Sequence, residues 1–169
     1  MATPTAASID EFRGQLLEAL PRLRGFAMSY CRTKVDAEDA VQLTCERALG
    51  RWQQWHGDGA LDHWLIKILV NVWRDELRAR KLHAGPDLES LPEPEDHEAD
   101  ADEKVYLEQV QAAITKLPDG QREVLLLVAG EGFSYQEAAV ALGVPIGTIM
   151  SRLSRARHTL IARFGNHHG

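Results

Sequence analysis

This 169-residue chain has no long apolar run. The longest, from Trp64 to Trp73, is broken by Lys67 and Asn71 and falls far short of the roughly 18–20 residues of a membrane span, so no membrane insertion is expected. Its first residues, MATPTAASIDEF, have neither a basic start nor an apolar core, which argues against export and for a cytoplasmic location. Cysteine is scarce. Cys31 and Cys45 form no CxxC pair, and both fall in helical patterns, which fits small buried or half-buried thiols rather than a redox or metal centre. Paired carboxylates, a phosphate-cradling glycine loop, metal-ligand spacing and a nucleophile arrangement are also missing, so no enzyme, cofactor or metal is expected. The aspartate-rich stretch 87–102 shares only its charge with a calcium loop, since the Asp-x-Asp-x-Asp-Gly spacing is absent.

What is present is a globular composition, 44% hydrophobic and 26% charged, in a length that suits one ordinary domain or two small ones. The net charge of −6 is unevenly spread. Residues 1–82 hold 12 Lys+Arg against 11 Asp+Glu, residues 83–104 hold one against nine, and residues 105–169 hold six against five. The acidity belongs to one short segment and does not exclude a polyanionic partner for the two flanking blocks.

The most informative stretch is SYQEAAVALGVPIGTIMSRLSRARHTLIARF, from Ser134 to Phe164. Ser134 and Glu137 form a capping box, Ala138, Ala139 and Leu142 an apolar stripe, and Gly143 the left-handed stop. Pro145 then opens a second helix with Ile146, Ile149, Leu153, Ala156, Leu160 and Ile161 on one face. The other face carries Thr148, Ser151, Arg152, Ser154, Arg155, Arg157 and Arg163, and Pro145 to Phe164 contains four arginines and no acid. A helix, a tight glycine turn and a basic helix make a helix-turn-helix, whose second helix is shaped for a DNA major groove.

Upstream, Ser8 and Glu11 pose another capping box before Phe12, Leu16, Leu17 and Leu20, and Pro21 is expected to open a new helix with Leu23, Phe26, Ala27 and Tyr30 inward. Asp36 is expected to cap a helix reaching about Gln54. Its core side is Ala37, Ala40, Val41, Thr44, Cys45, Ala48 and Trp52, with Asp39, Gln42 and the odd Leu43 outside. A helix from about Leu61 to Lys81 buries Leu61, Trp64, Leu65, Ile68, Leu69, Val72 and Leu77, and turns Asn71, Arg74, Arg78, Arg80 and Lys81 away. Basic side chains beside tryptophans suit a nucleic-acid strand. Residues 83–102, with three prolines and dense like charge, read as a flexible acidic linker. A helix from about Asp102 to Lys116 turns Val105, Val110, Ala113, Ile114 and Leu117 inward, and another from Pro118 ends at Gly130 and Gly132. The fold expected is all-α: a helical domain over 8–82, the linker over 83–102, and a helix-turn-helix domain over 103–165.

Four stretches in this order, DAEDAVQLTCERAL, LDHWLIKILVNVWRDELRARK, ITKLPDGQREVLLLVAGEGFSYQEAA and GVPIGTIMSRLSRAR, resemble the extracytoplasmic-function (ECF) sigma factors, small promoter-specificity subunits of bacterial RNA polymerase. The resemblance implies docking of Asp39 and Gln42 on the clamp helices of the largest polymerase subunit. Leu43 stands where the family has an acid, which removes one polar contact or substitutes an apolar one. Asn71 falls where the family places an asparagine near the flipped base of the −10 element, and Arg74 and Arg78 would contact backbone or bases. Trp64 matches a structural tryptophan. In the basic helix, Met150, Ser151, Ser154 and Arg155 would read the −35 element while Thr148 and Arg152 hold phosphates; Met150 suits a thymine methyl better than a hydrogen-bonded base edge. An anti-sigma factor is an expected partner beside core polymerase and promoter DNA. Two other readings stay open: a stand-alone helix-turn-helix regulator, which binds an operator tightly without polymerase, and a sigma-like decoy for an anti-sigma factor, which predicts degraded DNA-facing residues.

Overall fold

The computed structural model describes residues 8–57, 60–84 and 103–165. The described residues form helices and no strand, and the chain divides into two compact units, Met1–Glu93 and Pro94–Gly169.

The first unit packs three helices, α1 (Ile9–Tyr30), α2 (Lys34–Gly50) and α3 (Leu61–Ala84), each against the other two. Ser8 caps α1 by accepting the Glu11 N–H at 3.2 Å. Contrary to expectation, Pro21 opens no new helix; α1 runs through it. The hydrogen bond that Pro21 cannot donate would reach the carbonyl of Leu17, and both residues lie on the solvent side, where water can serve that carbonyl. Leu17 is accordingly 67% exposed rather than inward. Phe12, Leu16, Ala19, Leu23, Phe26, Ala27 and Tyr30 form the buried stripe that keeps one continuous helix favourable.

Thr33, not Asp36, caps α2, its hydroxyl accepting the Asp36 N–H at 3.1 Å. This frees the Asp36 carboxylate to turn inward, where it pairs with Arg80 of α3. Helix α2 stops at Gly50, a short 3₁₀ turn spans Trp52–Gln54, and Trp55 is buried where Trp52 had been expected.

Helix α3 is squeezed between α1 and α2, so its buried arc is wider than one stripe and rotated from the expected one. Leu65, Leu69 and Val72 are buried as expected, with Ile66, Val70 and Trp73 beside them, while Leu61, Trp64, Ile68 and Leu77 are half-buried. Trp64 packs at the edge of this core, 6.0 Å from the Phe12 ring and 5.8 Å from that of Trp55. Helix α3 continues through His83 to Ala84; the rest of the expected linker, the tail from Asn166 and the first seven residues lie outside the described residues.

In the second unit, α4 (Glu103–Thr115), α5 (Asp119–Leu125), α6 (Tyr135–Leu142) and α7 (Ile146–Phe164) enclose a core of Ala113, Leu117, Val124, Leu127, Phe133, Ala138, Leu142, Ile149, Leu153 and Ala156. Helix α5 widens into a π-helical turn over Leu126–Gly130, closed by the Glu131 N–H on the Leu126 carbonyl at 3.0 Å, and Gly132 leaves it with φ 72°. Val105, expected inward, is 42% exposed, as are Ile146 at 44% and Ile161 at 66%, each in the first or last turn of its helix. Arg122 is buried, donating to Asp119 at 3.2 Å and to the Thr115 carbonyl at 3.4 Å, so it ties α5 to the end of α4.

Candidate nucleic-acid interface

The α6–α7 pair is built as its residues dictate. The capping box closes in both directions, Glu137 N–H to the Ser134 hydroxyl at 3.0 Å and Ser134 N–H to the Glu137 carboxylate at 2.8 Å. Gly143 takes the left-handed conformation at φ 63°, which lets α7 start three residues later, at Ile146. Helix α7 is anchored by Ile149, Leu153 and Ala156, all at most 1% exposed, so everything opposite them faces solvent.

That outer face divides into three strips. Ser151, Ser154 and Arg155 are exposed along its middle, and the Ser151 hydroxyl donates to the Thr148 carbonyl at 3.2 Å. On one flank Thr148 and Arg152 are half-buried, and Arg152 lies against Gly120 of α5. On the other flank Met150, 53% exposed, and Ser154 line a shallow groove with Tyr135, Leu153, Arg157, His158 and Ile161. The structure thus brings Met150 and Ser154 together but sets them apart from Arg152. Tyr135, Arg157 and His158 were missed as site residues; the 150–154–157–161 helical spacing was a signal for Arg157 alone among them.

In the first unit, Asn71 and Arg78 are exposed and Arg74 half-buried, and their i, i+3, i+7 spacing sets them on one face of α3. Arg78 reaches Asp75 at 3.7 Å in an exposed pair that costs little to exchange for a phosphate. Arg80 belongs to a different surface. Its guanidinium binds Asp36 at 2.5 Å and Glu76 at 3.0 Å and lies 5.3 Å from the centre of the Trp73 ring. The hydrogen bond to Asp36 raises its pKa further.

Asp39, Gln42 and Leu43 are exposed on α2, Leu43 at 41%, and line a groove of about 280 Å³ with Val72, Trp73, Glu76 and Arg80 of α3. Gln42 also borders a second groove, against α1, with Leu20, Arg24, Met28, Val41 and Cys45. Burial pushes the Cys45 thiol pKa up, with Arg24 opposing and Glu46 reinforcing the shift. No His, Cys, Asp or Glu cluster that could hold a metal ion occurs among the described residues, and none of their helices is long and apolar enough to cross a membrane.

Residues 16–83 match the family model of Sigma-70 region 2, and residues 107–160 match that of Sigma-70, region 4. Fold and site therefore define a sigma-70-type polypeptide with a region 2 bundle and a region 4 helix-turn-helix. The chain is 38% identical over 160 residues to the ECF RNA polymerase sigma factor EcfG of Rhodopseudomonas palustris, covering 90% of this chain and 84% of that one. It is 35% identical over 147 residues to the ECF sigma factor SigM of Mycobacterium tuberculosis, covering 85% and 72%. Among solved structures, the sigma factor RpoE of Bartonella quintana, crystallised with the anti-sigma factor NepR, aligns with TM-score 0.74 and 34% identity over 90% of this chain and 95% of that one. CnrH in complex with the cytosolic domain of CnrY aligns at TM-score 0.62 and 26% identity, covering 96% and 92%. The chain belongs to the ECF RNA polymerase sigma factors.

Proposed function

We propose that this ECF sigma factor directs core RNA polymerase to promoters by gripping the −35 element with α7 and opening the −10 element with α3. The observation that carries the reading is the outer face of α7: Ser151, Ser154 and Arg155 exposed, no acid on the helix, and a fully buried Ile149–Leu153–Ala156 spine that fixes their direction. The serines and Arg155 reach base edges, Arg152 and Thr148 hold phosphates, and Met150 offers an apolar contact for a thymine methyl. On α3, Asn71 receives the displaced base, with Arg74 and Arg78 on the strand around it.

Neither unit has to bind tightly by itself. Once one engages, the second contact becomes intramolecular, and affinity rises without new contacts. The chain supplies binding and positioning and makes no bonds itself, and its substrate, the transcribing polymerase on DNA, places its work in the cytoplasm. Asp39, Gln42 and Leu43 form the surface for the clamp helices of the largest polymerase subunit. An anti-sigma factor is the expected regulator, in line with the complex of RpoE with the anti-sigma factor NepR. The intact Asn71, Arg74, Arg152 and Arg155 speak against a decoy.

The test adds the purified chain to core polymerase and a promoter library and sequences the transcripts. Start sites downstream of one shared two-element promoter are expected, with Asn71→Ala and Arg155→Ala each lowering initiation at least about fivefold, in keeping with about 1–3 kcal/mol per good base contact. Initiation unchanged in both variants, or absent with the native chain, overturns the proposal.

A further inference from the structure

Gly120 is the second residue of α5, and no turn requires a glycine there. Its φ is not in the left-handed region, and a glycine inside a helix destabilises it relative to alanine. The neighbourhood supplies a reason. A Cβ on Gly120 would sit 3.0 Å from both Cζ and Nε of Arg152 and 3.2 Å from its Nη1, closer than a methyl group can comfortably approach. The Arg152 guanidinium therefore lies directly on the bare backbone of α5. No acid holds it there. Asp119, the adjacent carboxylate, is bonded to the buried Arg122, and Arg152 takes part in no ion pair among the described residues.

We propose that Gly120 is a positioning residue for promoter recognition: its missing side chain forms the seat in which Arg152 is held ready for a DNA phosphate. The inference rests on the reading of α7 as the −35 helix. A long arginine side chain loses rotamer freedom when it binds, and a seat that restricts it beforehand lowers that loss. Because the seat is shape rather than charge, the N–H donors of Arg152 are not committed to a carboxylate and can all turn to an anion. The acid–base economy of the unit fits this, since the one buried arginine, Arg122, takes the acid and the half-buried Arg152 takes the glycine.

The test measures binding of the reconstituted holoenzyme to a two-element promoter across a salt series for native chain, Gly120→Ala, Arg152→Ala, Arg155→Ala and the Gly120→Ala/Arg152→Ala double variant. The atoms an added methyl meets are the far end of a flexible side chain, so Gly120→Ala is expected to fold with an unchanged or higher melting temperature. Its promoter affinity is nevertheless expected to fall about fivefold, the effect of losing one pre-ordered side chain. Arg152→Ala should weaken binding further and lower the slope of log K against log salt by about one. In the Arg152→Ala background, Gly120→Ala should have no further effect. Native affinity in Gly120→Ala while Arg152→Ala weakens binding, or a Gly120→Ala loss that persists without Arg152, overturns the inference alone. Native binding by both Arg152→Ala and Arg155→Ala overturns it together with the −35 reading.

Discussion

Replacing Arg80 with methionine should destabilise the first unit by about 3 kcal/mol, and the estimate can be built from its three contacts. The Asp36 side chain is 9% exposed and that of Arg80 33% exposed, so the carboxylate is the buried end of the pair. Stripping the partner from a fully buried ion costs about 3–5 kcal/mol; here solvent at the arginine end can reach the stranded carboxylate, which brings the cost to about 2 kcal/mol. Loss of the cation over Trp73 adds about 0.5–1 kcal/mol, and the exposed Glu76 pair a few tenths. All four tryptophans, Trp52, Trp55, Trp64 and Trp73, lie in the first unit, so urea unfolding followed by their fluorescence reports that unit selectively. A double-mutant cycle with Asp36→Asn should give a coupling energy of about 1.5–2 kcal/mol, because each single change already breaks the bridge. Promoter binding at matched folded concentration should keep its native salt slope. A loss below about 0.5 kcal/mol, additive single variants, or a reduced salt slope would refute the assignment of Arg80 to the fold rather than to DNA.

Gly143→Ala should cost about 1 kcal/mol, since φ 63° suits no side-chain-bearing residue well, whereas Gly25→Ala, in mid-helix with open space around it, should stabilise by about 0.5–1 kcal/mol; thermal unfolding of each variant checks the pair. The Cys45 thiol, its pKa raised mainly by burial, stays neutral longer in the fold than in the unfolded chain. Its stabilising contribution is therefore complete below the ordinary thiol value of about 8.5 and is lost as pH rises past it. Iodoacetamide labelling of Cys45 should accordingly reach half-maximal rate above that pH, and Arg24→Gln, which removes the opposing cation, should move it higher still. Changing the eight acids between Asp87 and Asp102 to serine would take the net charge from −6 to +2. Non-specific DNA binding should then rise at low salt and converge with the native chain at high salt, with polymerase affinity unchanged; equal non-specific binding at low salt would refute the repulsive role.

The architecture was legible wherever a local rule closes on itself. Ser134, Glu137 and Gly143 settle both ends of α6 within ten residues, so that helix and the start of α7 could be read directly. Boundaries that depend on solvent could not. Pro21 has the look of a helix start, and only its place on the wet side of α1 makes it tolerable inside one. Asp36 has the look of a cap, but Thr33 lies one turn earlier and a cation on α3 draws the carboxylate inward. The buried arc of α3 was misplaced for a similar reason. The spacing gives a broad stripe centred on Trp64, Leu65 and Ile68, while packing against both α1 and α2 rotates it to bring in Ile66, Val70 and Trp73, with Trp64 at the edge.

The site shows the same divide between pattern and partner. Spacing alone identified the polar face of α7, while Met150, which only the family resemblance pointed to, stands 53% exposed beside it. Spacing could not separate one arginine from another. Counted along the sequence, Arg80, Arg122, Arg152 and Arg155 are equal contributions to a basic chain, yet the fold gives each a different position. Arg80 bridges α2 and α3 through Asp36, Arg122 is enclosed with Asp119 and the Thr115 carbonyl, Arg152 rests on Gly120, and Arg155 is exposed. An arginine committed to a buried acid contributes almost nothing to the field DNA meets, because its charge is cancelled within a few ångströms. Cations not cancelled by a neighbouring acid carry the attraction for phosphate, and α7, with four arginines and no acid, is where the sequence gathers them. Overall acidity and DNA binding are compatible in this chain because the sign of the total says little about the few side chains that face the duplex.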